Sequence, residues 1–100
     1  MTMNEKLKPI HPGEILLEEF IKPLDLTTPI LAKDINLSLK LIEEIILEKQ
    51  SITTEIGLRL SKYFGLSERF WLNLQLKYDL EITKDKLEET INSEVKTISI

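Results

Sequence analysis

The hydrophobic residues of this chain recur at helical spacing from residue 11 onward, and this pattern predicts an all-α domain. The first helix begins at His11-Pro12-Gly13-Glu14, because proline fits a first helical turn, where its missing N–H is not needed. Pro23 predicts the end of that helix. Its apolar stripe comprises Leu16, Leu17, Phe20, Ile21 and Leu24.

The segment Thr28–Leu47 has the spacing of two short helices joined by a tight turn. Ala32 is small enough for the helices to cross closely, and Asn36 tolerates the left-handed backbone that such a turn requires. The pattern therefore predicts a helix-turn-helix, whose second helix presents its outer face to the major groove of DNA. The apolar residues that indicate this motif are Leu31, Ile35, Leu37, Ile42 and Ile45.

Polar residues predict where these two helices begin and end. Thr27 or Thr28 caps the first helix, which runs to about Ile35. Ser38 caps the second, which runs to about Lys49.

Two further helices complete the predicted domain of five. Thr53 caps the fourth helix and Gly65 ends it in a left-handed conformation, while Gly57 allows close packing. Ser67 caps the fifth helix. The apolar side chains at helical spacing in this pair are Ile56, Leu60, Phe64, Phe70, Trp71, Leu74 and Tyr78, and we expect Phe70 and Trp71 in the core rather than on a base-stacking surface.

The helical pattern weakens after Ile82. A further short helix over Lys84–Asn92 and a short strand over Val95–Ile100 both fit the sequence, although a lone strand must pair with a second chain to be stable. The alternative for the last segment is a disordered tail. We therefore divide the chain into an N-terminal lead (1–10), a helix-turn-helix domain (11–82) and a C-terminal extension (83–100).

The composition of the 100 residues restricts the classes of function. With 42% hydrophobic and 30% charged residues, the chain can bury the core of one domain, and with no cysteine and one histidine it is a poor candidate for disulfides or a zinc site. It has no glycine-rich phosphate loop and no recognisable nucleophile–base pair, and His11 is explained as a helix-start residue, so we expect neither an enzyme nor a cofactor. No apolar run is long enough to span a bilayer and no signal peptide is recognisable, so the cytoplasm is the expected compartment.

The formal net charge of −4 is unfavourable for a protein that binds DNA, because affinity for phosphates comes largely from lysine and arginine. Either the positive charges gather on one face, or the surface serves another function as well. An acidic surface suits a basic protein partner, since complementary potentials speed encounter.

Four stretches of the sequence resemble one known family. They are HPGEIL at 11–16, LEEFIKPL at 17–24, LAKDINL at 31–37 and ITTEIGLRLSKYFGLSERFWLNLQLKYDLE at 52–81, within which FWLNLQ at 70–75 is the most specific. The chain resembles the HigA (VapI-like) antitoxins of bacterial toxin–antitoxin modules, which belong to the lambda-repressor-like class. The resemblance implies a homodimer that represses its own operon by binding operator DNA, and that neutralises a HigB-type RNase toxin by binding it.

The helix-turn-helix departs from the pattern of that family at several positions. Thr28 stands where the family usually has glutamine, Leu41 where an arginine is common, and Glu43 where an asparagine is common. Residues 28–50 contain three lysines against one aspartate and three glutamates, a net charge of −1. Glu43 and Glu44 repel a polyanion unless they are paired.

Helical spacing nevertheless assigns candidate residues to DNA. Lys40 suits guanine or a phosphate, Glu43 suits the amino group of cytosine, and Leu39 suits the methyl group of thymine. The candidates for base contact are Ser38, Leu39, Lys40, Glu43, Glu44 and Leu47. The candidates for phosphate contact, which fixes register without reading sequence, are Thr28, Lys33, Lys49, Gln50 and Thr53. The candidates for a dimer surface, taken as exposed apolar residues, are Leu76, Leu80 and Ile82, with the 95–100 segment as an addition.

Two functions from different classes remain open on the sequence. The first is a DNA-binding autorepressor and antitoxin. The second is an orphan helix-turn-helix regulator or a protein-interaction module with weakened DNA binding, which the negative charge and the two glutamates favour. RNA binding is a weaker third interpretation, because the sequence offers no exposed aromatic surface and no arginine-rich segment.

Overall fold

The computed structural model describes residues 8–99, and within them the chain forms five helices and no strand. Helix α1 begins as an α-helical turn at Pro12–Ile15 and continues as a π-helical segment at Leu16–Ile21. Helices α2 (Thr28–Ile35), α3 (Leu39–Ile46), α4 (Thr54–Phe64) and α5 (Phe70–Glu94) follow. The predicted all-α, five-helix domain is confirmed.

A single core lies between the helices, with Trp71 of α5 fully buried at its centre. Three phenylalanine rings surround the indole, with ring centroids 5.1 Å (Phe20), 6.3 Å (Phe64) and 5.2 Å (Phe70) away from it. Tilted and edge-on contacts at such distances add to the hydrophobic gain from burial. The buried aliphatic residues are Leu16, Ile21, Leu31, Ala32, Ile35, Ile42, Ile45, Ile52, Ile56 and Leu60.

The second half of α1 is wider than a regular α-helix, which the apolar stripe did not predict. Lys22 donates its backbone N–H to the carbonyl of Leu17, five residues back, at 3.0 Å. Pro23 follows directly, and in a regular helix its ring would clash with the carbonyl of Glu19. The helix ends before Leu24, so the prediction that this leucine belongs to the buried stripe is wrong: its side chain is 60% exposed.

Helix α3 ends three residues earlier than the sequence pattern predicts. Leu47 already leaves the helical conformation, and Glu48 is left-handed, with φ of 63°. Lys49 and Gln50 therefore lie in an irregular segment after the helix rather than in its last turn.

Helix α5 differs from the prediction at both ends. It starts at Phe70, with Arg69 in the N-cap position and no side-chain cap, so Ser67 does not cap it. It continues without a break to Glu94, so the segment Lys84–Asn92 is part of α5 and not a separate helix. Residues 95–99 form no strand, and Ile100, like the first seven residues, lies outside the described residues.

Candidate nucleic-acid interface

The helix-turn-helix consists of α2, the turn at Asn36 and α3. The hydroxyl of Thr27 accepts a hydrogen bond from the backbone N–H of Ile30 at 3.3 Å, which identifies Thr27 rather than Thr28 as the cap of α2. Asn36 has φ of 57° and ψ of 47°, the left-handed conformation that the sequence predicts for the turn. Its backbone N–H donates to the carbonyl of Lys33 at 3.2 Å and closes the end of α2.

Two side-chain contacts hold the carboxyl end of α2 against α4. The guanidinium of Arg59 donates to the carbonyl of Ile35 at 2.9 Å, and the hydroxyl of Tyr63 donates to the carboxylate of Asp34 at 2.7 Å. Arg59 also forms an ion pair with Glu55, one turn earlier in α4, at 2.9 Å. These contacts hold the carboxyl end of α2 against α4 and leave the start of α2 outside them.

The N-terminal end of α1 packs on the carboxyl end of α3. His11 is 4% exposed and caps α1, because its Nδ1 accepts from the backbone N–H of Gly13 at 2.9 Å. Its ring also meets Tyr78 of α5 edge-on, with centroids 4.9 Å apart. Burial lowers the pKa of His11, while the carboxylates of Glu48 and Asp79 act in the opposite direction. The neutral ring is the form that accepts from Gly13, so the interpretation of His11 as a helix-start residue is confirmed.

Helix α3 buries one face and exposes the other. Ile42 and Ile45 are fully buried against the core. On the opposite side, Lys40, Glu43 and Leu47 are exposed one turn apart and form the centre of the outward face.

The remaining candidates for base contact lie around this face. Leu39 is exposed beside it, and Glu44 is half-buried at its edge. The hydroxyl of Ser38 accepts from the backbone N–H of Leu41 at 3.1 Å, so this residue caps α3 as the sequence predicts.

The candidates for phosphate contact do not form one cluster. Thr28 is the first residue of α2, and Thr53 caps α4, where its hydroxyl accepts from Ile56 N–H at 3.4 Å. Lys49 is exposed after α3, whereas Lys33 lies in the last turn of α2, away from the N-terminal end that attracts an anion. The fifth candidate is the half-buried Gln50, whose amide donates to the carbonyl of Ser51 at 3.4 Å.

A groove joins the start of α2 to the outer face of α3. It has a volume of about 370 Å³ and lies between α1, α2 and α3. Thr28, Glu43 and Leu47, three of the candidates, line it together with Leu17 and Ile46. The structure therefore brings one phosphate candidate and two base candidates to one place.

The two glutamates of α3 have no ion-pair partner among residues 8–99. The ion pairs found in that part of the chain, Lys22–Glu18, Arg59–Glu55 and Lys84–Glu88, all lie within single helices elsewhere. The carboxylate of Glu43 is therefore exposed and has no ion-pair partner in that range, and it lines the same groove as Thr28.

One residue that the sequence reasoning missed fixes the segment before α4. Gln75 of α5 is 6% exposed, and its side-chain carbonyl accepts from the backbone N–H of Ile52 at 2.8 Å. Its amide donates to Asp79 at 3.0 Å. The contact positions the segment that carries Gln50 and Thr53. A glutamine on the buried face of an apolar helix was the available signal, because buried polar groups are almost always hydrogen-bonded.

The dimer candidates fall on two sides of α5. Leu76 and Leu80 are exposed and line a shallow groove with Lys77 and Lys84, but Ile82 is half-buried on another face, so its prediction as an exposed residue is wrong. Two further residues, Leu87 and Ile91, extend the exposed stripe.

No group of three or more histidine, cysteine, aspartate or glutamate side chains within residues 8–99 could hold a metal ion. Within that range, none of the helices has the length and apolar character needed to cross a membrane.

A capped α2, a left-handed turn and an α3 with one buried and one exposed face, packed among five helices, define a helix-turn-helix protein of the lambda-repressor-like class. No protein-family model matches the chain. Virulence-associated protein I of Dichelobacter nodosus is 43% identical over 81 residues, which is 81% of this chain and 75% of that protein.

Solved structures agree with this sequence relative. An addiction-module antidote protein of the HigA family from Coxiella burnetii is 38% identical, with a TM-score of 0.86 over 92% of this chain and 100% of that one. The Pseudomonas aeruginosa antitoxin HigA, solved with the higBA promoter, is 34% identical, with a TM-score of 0.87 over 91% of this chain and 99% of that one. The chain belongs to the HigA (VapI-like) family of helix-turn-helix antitoxins.

Proposed function

We propose that this protein is a DNA-binding autorepressor that also neutralises a small HigB-type RNase toxin by direct binding. The observation that carries the proposal is the exposed face of α3, supported by a relative that was solved with a promoter. In the cytoplasm, the protein binds the operator of its own operon.

Base reading is assigned to the outward face of α3. Lys40 is exposed there and donates to guanine, Glu43 accepts from the amino group of cytosine, and Leu39 contacts a thymine methyl. Leu47 lies on the same central row as Lys40 and Glu43, and Ser38 and Glu44 complete the surface as candidates at its edges. Because a carboxylate accepts only from a base donor and repels phosphate, Glu43 disfavours every sequence that lacks an amino donor, from cytosine or adenine, at its position.

Phosphate contacts are assigned to residues on either side of α3. Thr28 and Thr53 lie at the starts of α2 and α4, where free N–H groups and the helix dipole favour an anion. Lys49 and Gln50 lie between α3 and α4 along the chain, and Lys33 lies in the last turn of α2. These contacts fix the register of α3 but read no sequence.

We propose a homodimer, because an operator with two half-sites is read by two subunits, one at each half-site. Leu76, Leu80, Leu87 and Ile91 are all exposed and lie within about 60° of one another around α5. Leu76 and Leu80 are four residues apart, as are Leu87 and Ile91, so the stripe is symmetric about the midpoint between Thr83 and Lys84. Such a stripe is self-complementary when two copies of α5 pack antiparallel: Leu76 then meets Ile91 of the partner subunit.

Charged side chains of both signs lie beside this stripe. Lys77, Glu81, Lys84 and Glu88 follow one edge of the stripe. In the antiparallel pair, Lys77 lies near Glu88 of the partner subunit, and Glu81 lies near Lys84 of the partner subunit. These two contacts are attractive, whereas Lys84 also lies close to Lys84 of the partner subunit near the symmetry axis, so the apolar stripe carries the proposed arrangement.

Operator binding is tested by fluorescence anisotropy of the purified protein on its own upstream DNA, with a scrambled duplex as control, at several salt concentrations. The proposal predicts sequence-dependent binding, which the double variant Lys40→Ala/Lys49→Ala loses. Unchanged affinity in that variant would refute the assigned face. Equal affinity for both duplexes would refute the repressor function.

Neutralisation is tested separately, with the small basic reading frame that the antitoxin function predicts beside this gene. Its product, expressed alone, is expected to stop growth, and co-expression of this chain is expected to restore it. Absence of such a reading frame, or growth arrest that this chain does not relieve, would contradict the antitoxin function and leave an orphan regulator.

A further inference from the structure

The groove between α1, α2 and α3 has an apolar wall. Leu47 is 62% exposed at the end of α3, and the half-buried Ile46 and Leu17 continue the apolar surface inward. A groove of about 370 Å³ is large enough for one aliphatic or aromatic side chain. Phosphates and sugars gain little from an apolar wall, whereas a protein partner gains from every apolar side chain that it buries.

The charge around this groove favours a cationic partner. The stretch from Leu41 to Glu48 contains three glutamates and no basic residue, and it is flanked by Lys40 and Lys49. Glu43 lines the groove, and Glu44 and Glu48 follow at the carboxyl end of α3, where the helix dipole adds further negative potential. None of the three glutamates forms a salt bridge within residues 8–99. A lysine or arginine beside an apolar side chain complements both properties of the site.

We propose that this groove is the docking site for the basic protein partner of this chain, and that the partner and operator DNA exclude one another there. An apolar side chain of the partner enters between Leu17, Ile46 and Leu47, and a lysine or arginine of the partner pairs with Glu43. The inference rests on the antitoxin part of the proposed function, because it assigns a surface to that partner.

Exclusion follows from the position of the groove. Thr28 forms part of its lining and is also the first residue of α2, where a phosphate is expected to bind. Leu47 and Glu43 belong to the face of α3 that enters the major groove. A protein that covers these three residues leaves no access for DNA, so the partner releases the repressor from its operator.

A second copy of this chain is a poor occupant of the groove. Each copy carries a net charge of −4, and two acidic faces repel one another. The exposed stripe on α5 provides a separate surface for self-association.

The experiment uses the full-length chain, its labelled operator and the purified product of the small basic reading frame that the antitoxin function predicts beside the gene. Wild-type protein, Leu47→Ser, Glu43→Gln and Leu58→Ser are compared for affinity to that product and, in a separate titration, to the operator. Leu58 is the matched control, because it is an exposed leucine on α4 that lies outside the groove.

Leu47→Ser is expected to weaken partner binding by about tenfold or more, as for a central interface residue, while Leu58→Ser leaves it unchanged. Glu43→Gln is expected to weaken partner binding but to strengthen binding to scrambled DNA, since it removes a charge that repels phosphate. The partner is expected to displace labelled operator from the wild-type protein, and its affinity is expected to fall as salt is raised.

Three results would overturn the inference alone: equal partner affinity for Leu47→Ser and Leu58→Ser, a ternary complex of partner, protein and operator, or loss of self-association in Leu47→Ser. If the wild-type protein does not bind the partner at any salt concentration, the antitoxin function fails together with the inference. Operator binding is read separately and stays valid in either case.

Discussion

The α-carbon of Gly13 packs directly on the carbonyl oxygen of Ile45, so the start of α1 and the carboxyl end of α3 touch through their backbones. A Cβ atom at position 13 would overlap that oxygen and lie 2.7 Å from the carbonyl carbon. Helix α3 is therefore positioned by a residue without a side chain.

Gly13→Ala is expected to destabilise the fold by about 1–3 kcal/mol, because backbone atoms cannot yield as a side chain can. Gly57→Ala is the matched control: its Cβ would meet the side chain of Leu72 at 2.8 Å, which can rotate away. Both variants gain similarly from the higher helix propensity of alanine, so the difference reports the steric clash. Urea unfolding measures the loss of stability in each variant. A smaller loss for Gly13→Ala than for Gly57→Ala would contradict the proposed backbone clash.

Gln75→Leu is expected to cost about 1–3 kcal/mol, because it leaves the buried N–H of Ile52 without an acceptor. Gln75→Glu keeps an acceptor for that N–H but brings a second carboxylate next to Asp79. Its stability at neutral pH is expected to fall between wild type and Gln75→Leu, and to rise towards the wild-type value as the pair is protonated. A Gln75→Leu variant as stable as wild type in urea unfolding would contradict the assigned role.

The free energy of unfolding is expected to decrease as pH falls below about 6.5. Burial lowers the pKa of His11 below its ordinary value of 6.5, so the unfolded chain binds the proton first. The contribution is fully present above pH 6.5 and is lost as pH falls through the folded-state pKa. His11→Asn keeps a cap acceptor that does not titrate, and the difference in stability between the two proteins is expected to depend on pH only in this window. If the difference in the free energy of unfolding between wild type and His11→Asn does not change between pH 7 and pH 5, the assigned role of His11 is refuted.

The role of the charged edge of α5 in self-association is tested by reversing the sign of its charges. Lys77→Glu/Lys84→Glu is expected to weaken self-association, and so is Glu81→Lys/Glu88→Lys, because each places like charges opposite one another. An equimolar mixture of the two variants is expected to associate as heterodimers. Sedimentation equilibrium measures all three samples, and two variants that dimerise as strongly alone as together would contradict the antiparallel arrangement.

Much of the fold was predictable, because its signals are local. The turn at Asn36, the caps at Ser38 and Thr53 and the left-handed end at Gly65 each depend on a few neighbouring residues. Where the sequence pattern predicted a helix end or cap wrongly, either a residue distant in sequence decided the structure, or two neighbouring caps were equally good. Ser67 looks like a cap, but the chain turns once more before α5 begins at Phe70.

The surface was less predictable than the core. The continuation of α5 to Glu94 depends on a sequence without glycine or proline rather than on an apolar stripe facing the core, so the weakening pattern was misleading. The spacing placed Lys40, Glu43 and Leu47 on one face correctly. It could not show that Thr28 and Leu17 close a groove with them, because that requires the packing of three helices.

The measurement that tests the central claim most directly is binding of wild type, Lys40→Ala and Lys49→Ala to a panel of operators, each with one base pair changed. If α3 reads the operator, Lys40→Ala loses its preference at one position of each half-site, whereas Lys49→Ala weakens binding to the whole panel evenly and makes it less sensitive to salt. If Lys40→Ala keeps the wild-type order of preference across the panel, then α3 does not read the operator as proposed, and the helix-turn-helix serves the protein partner instead.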